Sequence, residues 1–309
     1  MPNLKFLMAR STEFEIISSL TRPGASIEAA IRDILLLTSE AALAESDTIH
    51  NHNGPLSIHL NDVWSSLVEK VVATTVAAQQ GALVEFLRVL RRQEVNDPAT
   101  GEQILYALVP DYTVPVWTGL PLFGISVRDE WNFGMSNLPY RLSVSANSAL
   151  DADSCTPEEE SCYYNKLAFL AQLTNLPENH VEDRETTPPP YDFSLYALWD
   201  FRNVFEEDPK SDKARTILLR AASLWMIYCA EKLWADSRAD RSYVHKASGT
   251  NPAKAGEHFE SDKQWTGFNK ERWTIWVEGL RRSQRSEAED VKELVAKALI
   301  EVERVENSA

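Results

Sequence analysis

The segment AASLWMIYCA, residues 221–230, is apolar at nine of its ten positions. A helix with no polar face has to be enclosed by other elements on every side. The run is too short to span a bilayer. It therefore predicts a buried central helix, continuing through Glu231, Lys232, Leu233 and Trp234. Tryptophan points to the same region. Six of the nine Trp lie from residue 199 onward: Trp199, Trp225, Trp234, Trp265, Trp273 and Trp276. A buried indole removes on the order of 200 Å2 from water, so the densest core is expected in this C-terminal third.

The flanking sequence supplies helices to enclose it. Thr12 with Glu15 fits a capping box ahead of Ile16, Ile17 and Leu20. Arg22-Pro23-Gly24 then breaks the chain, and Ser26 can cap a helix carrying Ile27, Ile31, Ile34, Leu35 and Leu37. Residues 46–55 are polar and turn-prone. Asn61 or Asp62 can start a helix carrying Val63, Trp64, Leu67, Val68 and Val71, with Thr74 and Thr75 interrupting it. Leu83, Phe86, Leu87 and Leu90 follow, up to the stop at Asn96-Asp97-Pro98. Pro110, Pro115, Pro121 and Pro139 forbid one long helix over residues 103–140. Ile104 to Val109 has strand character, but no partner strand with a clear hairpin turn is visible. Residues 116–132 read as a packed loop with a short helix.

Further on, an acidic loop at 151–161 leads into a helix carrying Tyr163, Leu167, Phe169, Leu170 and Leu173. Residues 177–191, with Pro188-Pro189-Pro190, form the best internal linker. Phe193 to Phe205 is the next helix. Residues 236–264 lack helical periodicity and read as a flap or insertion. Two apolar stripes close the chain: Phe268, Trp273, Trp276, Val277 and Leu280, then Val291, Leu294, Val295, Ala298 and Val302. The expected fold is all-α, an irregular multi-helix bundle with a central buried helix and long loops. It is read as a single helical domain over 1–309, divisible into N-terminal helices at 1–100 and an aromatic-rich helical core at 101–309.

Composition limits function. The 309 residues are 44% hydrophobic and 25% charged, as in globular proteins. With 31 Lys plus Arg against 46 Asp plus Glu, the formal net charge is −15. Nucleic-acid affinity rests on cations that neutralise phosphates, so this acidic chain is not expected to bind nucleic acid. The short Arg281, Arg282, Arg285 cluster complements a helix C-terminus. Cys155, Cys162 and Cys229 are too few for a disulfide framework. No secretory apolar segment occurs. These features predict a cytoplasmic protein, with nuclear entry left open and no membrane association.

Four blocks carry a family resemblance: WTGLPLFGISVRDEWN at 117–132, DFSLYALWDFRNVFE at 192–206, AASLWMIYCAEKLW at 221–234 and WTGFNKERWTIWVEGL at 265–280. In order and character they resemble a fungal (ascomycete) family of helical proteins, domain-of-unknown-function family 3632. The resemblance covers roughly the last two thirds of the chain. It implies a helical intracellular protein of filamentous fungi and carries no activity with it.

Catalytic motifs are missing from the sequence. No nucleophile elbow, P-loop or dinucleotide-binding glycine turn occurs. His50, His52 and His59 approach a metal cluster, with Asp47 or Asp62 as oxygen donors, but they read as surface histidines of a polar loop; no metal and no cofactor are expected. His180 and His245 are isolated, and His258 sits near Glu257 and Glu260. Cys229 reads as a core thiol. The sharper candidate is an aromatic pocket around the central helix, formed by Arg220, Trp225, Tyr228, Glu231, Trp265, Arg272, Trp273 and Trp276. Arg272 and Trp276, four residues apart on a helix, can form a cation–π contact. Aromatic stripes are usually core, so ordinary packing with an ion pair between helices is the competing reading. Two functions fit: a noncatalytic protein binding a partner or a small molecule, or a cofactor-independent enzyme of fungal secondary metabolism with Glu231 as general acid.

Overall fold

The structure is a computed structural model that describes residues 11–44, 54–75, 77–109, 112–133, 138, 154–179, 191–243, 251–284 and 289–308. Its described residues form ten α-helices and one two-stranded sheet. The all-α expectation therefore holds, with a small β-hairpin added. The chain divides into two compact units, Met1–Gly134 and Met135–Ala309.

The N-terminal unit begins with α1 (Thr12–Ser19), α2 (Ile27–Leu43), α3 (Pro55–Ala73) and α4 (Ala77–Leu90). Two helix starts differ from the sequence reading. Ser11, not Thr12, caps α1 by accepting the Phe14 N–H at 3.1 Å. Helix α3 opens at Pro55 behind Gly54, six residues before Asn61. Proline suits the first helical turn because its missing N–H would have no intrahelical partner there. The earlier start puts His59 inside a helix, where it is buried. Ser26 caps α2 as expected, and α3 ends at Thr74.

Ile104 to Val109 does find a partner. Strand β1 (Leu105–Val109) pairs antiparallel with β2 (Tyr112–Pro115), with an irregularity between Ala107 and Val109. That pairing resolves the backbone demand that argued against a lone strand; Pro110 and Asp111 fall outside the described residues. Helix α5 (Phe123–Phe133) follows. Trp64 donates its Nε1–H to the Pro121 carbonyl at 2.7 Å and packs against Trp117 and Phe123.

The C-terminal unit holds α6 (Pro157–Thr174), α7 (Ser194–Phe205), α8 (Asp212–Arg238), α9 (Lys270–Ser283) and α10 (Glu289–Asn307). Thr156 and Glu159 form a reciprocal capping box at the start of α6. The apolar run lies within α8, a helix of 27 residues that packs against α6, α7, α9 and α10. Trp225, Met226 and Cys229 are fully buried. Both closing stripes also point inward, with Trp273, Trp276, Leu280, Val291, Val295, Ala298 and Val302 buried. Among the described residues no helix is long and apolar enough to cross a membrane.

The segment after α8 departs from the expected flap. The helix runs on to Arg238, and residues 251–264 form a chain of turns tied to the helices. Trp199 donates to the Pro252 carbonyl at 2.8 Å, and Asn251 to the Trp265 carbonyl at 2.8 Å. Ala253 and Ala255 are buried. Polar turns with no period can still be fixed when their carbonyls accept from side chains of packed helices. Residues 244–250 fall outside the described set, as does the 188–190 proline run.

The burial of Trp225 gives a direct check. Trp225→Ala removes a whole indole and the donor to a buried carboxyl, and should cost ~3–5 kcal/mol. Denaturant midpoints of the folded variant and the parent measure this. A change under ~1 kcal/mol would place the ring outside the core.

Candidate functional site

Helix α7 and its flanks contribute three buried carboxyls, each the centre of a polar cluster. The block at 192–206 holds all three: Asp192, Asp200 and Glu206.

Glu206 caps the C-terminal end of α7 and is fully buried. Its Oε1 accepts from Arg272 Nε at 2.6 Å and from Trp276 Nε1 at 2.8 Å. Its Oε2 accepts from Arg272 Nη2 at 2.9 Å and from the Gly256 N–H at 2.9 Å. Arg272, itself fully buried, turns Nη1 to the carbonyls of Ala253 and Gly267, and Nη2 also to that of Lys254. All five guanidinium N–H groups thus have protein acceptors. The guanidinium lies 5.2 Å from the Trp265 ring and 5.6 Å from that of Trp276. Trp276 stacks on Phe201 with centroids 4.7 Å apart. Gly256 must be glycine-sized, because an added Cβ would sit 2.6 Å from the Glu206 carbonyl oxygen.

Asp200 sits six residues earlier, within α7. Tyr163 Oη donates to Oδ1 at 2.8 Å, and Trp225 Nε1 to Oδ2 at 2.8 Å. Burial pushes this carboxyl up to about 7, against the hydrogen bonds from Trp225 and Tyr163 and the charge of Lys166. Both direct donors are neutral, so they only partly replace the water the carboxylate lost.

Asp192 anchors the third cluster, ahead of α7. Arg241 Nη1 reaches Asp192 Oδ2 and Asp236 Oδ2, both at 2.8 Å, and Ser194 Oγ at 2.7 Å. Lys232, fully buried, pairs with Asp236 and lies 3.9 Å from Asp192. Tyr243 Oη is 2.6 Å from Ser194 Oγ. Burial pushes the Asp192 carboxyl up, but Arg241 and then Lys232 outweigh it and hold the group below the usual carboxylate range.

Residues 64–280, well over half of the chain, match the family described as Protein of unknown function (DUF3632). The chain belongs to that family. No curated protein and no solved structure matches it. The matched DUF3632 region contains all three carboxyl clusters. Asp192, Asp200, Glu206, Trp225, Lys232, Gly267, Arg272 and Trp276 all come from three of the blocks that carried the resemblance.

The eight residues singled out from sequence fall in several places. Trp265, Arg272 and Trp276 come together around Glu206. Trp225 faces Asp200 instead. Trp273 pairs with Trp234, centroids 5.2 Å apart, and donates to Glu306 of α10 at 2.8 Å. Tyr228 is half-buried on α8. Arg220 lies near the surface, paired with Asp290 and 3.9 Å from Glu160. Glu231 is 59% exposed and 3.9 Å from Arg304, so the fold does not bring it to the aromatic rings.

The histidines also resolve. His59 is not a surface group: its Nδ1 is 2.7 Å from Glu13 Oε1 and its Nε2 3.1 Å from Thr38 Oγ1. It thereby links α1, α2 and α3. His50, His52, His180, His245 and Asp47 fall outside the described residues. His258 is half-exposed, 3.3 Å from Asp208. Among the described residues no group of His, Cys, Asp and Glu could hold a metal ion, and all three cysteines are free thiols. In the N-terminal unit an open depression of about 380 Å3 is lined by Leu20, Arg22, Gly24, Gln79 and Ala82.

Sequence reasoning missed Asp192, Asp200, Glu206, Lys232 and Arg241. One signal was available. Asp200 and Lys232 stand in otherwise apolar helical surroundings, where a charge has to meet a partner.

Two outcomes follow. Glu206→Gln leaves Arg272 charged and enclosed, so it should destabilise by ~3–5 kcal/mol; an unchanged denaturation midpoint would contradict the pair's burial. Asp200 gives a pH dependence. Its folded-state value, about 7, lies above the usual 3.8. The fold therefore holds this proton more tightly than the unfolded chain does. The contribution is complete below 3.8 and is lost as pH rises toward and through 7, by about 1.4 kcal/mol per unit of pKa difference. Asp200→Asn removes this slope, so the variant should gain stability relative to the parent between pH 5 and pH 8 in urea titrations. Parallel pH profiles for the two proteins would refute the assignment.

Proposed function

We propose that this DUF3632 chain is a noncatalytic, intracellular binding protein for a small molecule or a protein partner. The observation that supports this reading is the saturation of Arg272 and Glu206. Every guanidinium N–H is taken by a protein acceptor, and the carboxylate receives four N–H donors. A substrate-activating pair needs donors or lone pairs left over for the substrate. Glu231, the acid that an enzymatic reading of the sequence used, stands exposed beside Arg304. For a small molecule, the candidate entry is the face of Trp265. It is 9% exposed, whereas Trp276 beside it is fully enclosed, and it meets the Phe259 ring at a tilt, centroids 5.4 Å apart. Aromatic faces would supply apolar contact there, with Arg272 holding the floor in place.

A second reading, a cofactor-independent enzyme of fungal secondary metabolism, draws on Asp200. A carboxyl titrating near 7 has the proton affinity of a general acid or base. Its complete burial puts it behind Tyr163 and Trp225, away from any substrate in the present conformation.

The test is native mass spectrometry of the full chain purified from its own host. The binding reading expects a retained small molecule or protein partner whose mass stays constant on incubation, with small-molecule retention reduced by Trp265→Ala. Conversion of the retained molecule, abolished by Asp200→Asn, would establish the enzymatic reading instead. A bare chain with no adduct or partner would count against binding.

A further inference from the structure

Among the described residues, Arg272 and Arg241 are each locked into a buried acid cluster, and they differ in one respect. Arg272 uses its Nε/Nη2 side to grip the Glu206 carboxylate in a bidentate pair, at 2.6 and 2.9 Å. Arg241 directs all of its hydrogen bonds through Nη1, to Asp192, Asp236 and Ser194. Its own Nε/Nη2 side has no acceptor among the described residues. That side carries three N–H donors in the planar fork that matches a carboxylate.

The fork is held ready. Three acceptors converge on Nη1, and the guanidinium lies 4.6 Å from the centroid of the Tyr243 ring. Tyr243 is itself tied to Ser194 at 2.6 Å. The backbone on both sides is pinned: Phe268 N–H donates to the Arg241 carbonyl at 2.8 Å, and Tyr243 N–H to the Thr266 carbonyl at 2.7 Å. At Gly267 an added Cβ would lie 1.9 Å from the Arg241 carbonyl oxygen, so only glycine permits this approach. A ligand meeting the fork therefore pays little for ordering it. The Arg241 side chain is 13% exposed.

Charge selects among oxyanions. Among the described residues, Asp192 and Asp236 balance Lys232 and Arg241, so these four are formally neutral together. A single negative charge can be accommodated at the fork. A phosphate dianion would face two carboxylates behind the guanidinium.

We propose that the Nε/Nη2 side of Arg241, framed by Tyr243, is a binding site for a monoanionic carboxylate of a small molecule. The site is separate from the Trp265 face and does not depend on occupancy there. It rests on the binding reading only in supposing that the bound molecule carries an acid group.

The experiment uses the full chain with benzoate and acetate as probes. Benzamide and chloride at matched ionic strength are controls, and inorganic phosphate is a third arm. The readouts are the thermal midpoint and the arginine Nε–H cross-peaks in 1H–15N spectra. Benzoate and acetate should raise the midpoint and move the Arg241 cross-peak, while benzamide and chloride leave both unchanged and phosphate acts more weakly. Arg241→Lys keeps the positive charge for Asp192 and Asp236 but removes the fork, and should weaken carboxylate binding by about tenfold or more. An unmoved Arg241 cross-peak in the wild-type chain overturns the proposal, and this readout stands even if the lysine variant does not fold. Equal responses to benzoate and phosphate, or full binding by a folded Arg241→Lys, also overturn it. A retained host ligand alongside such a failure would leave the binding reading intact and remove only this site.

Discussion

The Glu206–Arg272 pair holds the C-terminal unit in register. Apolar burial is nondirectional and would tolerate sliding between α7 and α9. A fully enclosed carboxylate and guanidinium do not, because each unmet hydrogen bond there carries a desolvation cost. The two side chains satisfy one another and also collect the Trp276 indole, the Gly256 amide and the carbonyls of Ala253, Lys254 and Gly267. One ion pair thus fixes the end of α7, the start of α9 and the turns between α8 and α9. Within residues 251–264 the pair ties down Ala253, Lys254 and Gly256, beside the segment's own turn hydrogen bonds.

Helix α7 and the residues just before it show how partner identity sets the state of an acid. Asp192 and Asp200 are eight residues apart and both buried. Asp192 faces Arg241 and Lys232, which hold it ionised. Asp200 faces a phenol and an indole, and burial holds it protonated to near neutrality. Burial is common to both, so the charge of the neighbours decides. Arg272 and Arg241 make the complementary point for a base. One is spent on a bidentate protein partner, and the other makes its hydrogen bonds through Nη1, with no acceptor for Nε or Nη2 among the described residues.

Helix existence was largely legible in the sequence, and for one reason. Apolar spacing along a helix is a local property, so the stripes through Trp273 and Trp276 or Val291 and Val295 could be read directly. Starts were less legible. Ser11 and Thr12 are both good capping residues, and the polar stretch running up to Pro55 masked the first turn of α3. His59 read as a surface group because its partners, Glu13 and Thr38, are far off in sequence. Of the eight pocket residues, Trp265, Arg272 and Trp276 share one cluster, and the i, i+4 geometry that joined Arg272 to Trp276 was visible beforehand. Trp225 and Trp273 were equally clear as buried rings, but nothing local says which carboxylate each indole meets.

What the sequence determined alone is the helical class, the burial of most of residues 221–230, with Leu224, Ile227 and Tyr228 only half-buried, and the acidic balance of the chain. Periodicity, propensity and composition are sums over neighbouring residues, and they survive without knowledge of the fold. The tertiary structure decided how the charges pair. Arg272 and Glu206 are 66 positions apart, and Trp225 and Asp200 are 25. Such partners are chosen by helix packing, which fixes where each side chain points. Only then does the low dielectric of the interior make each polar contact obligatory.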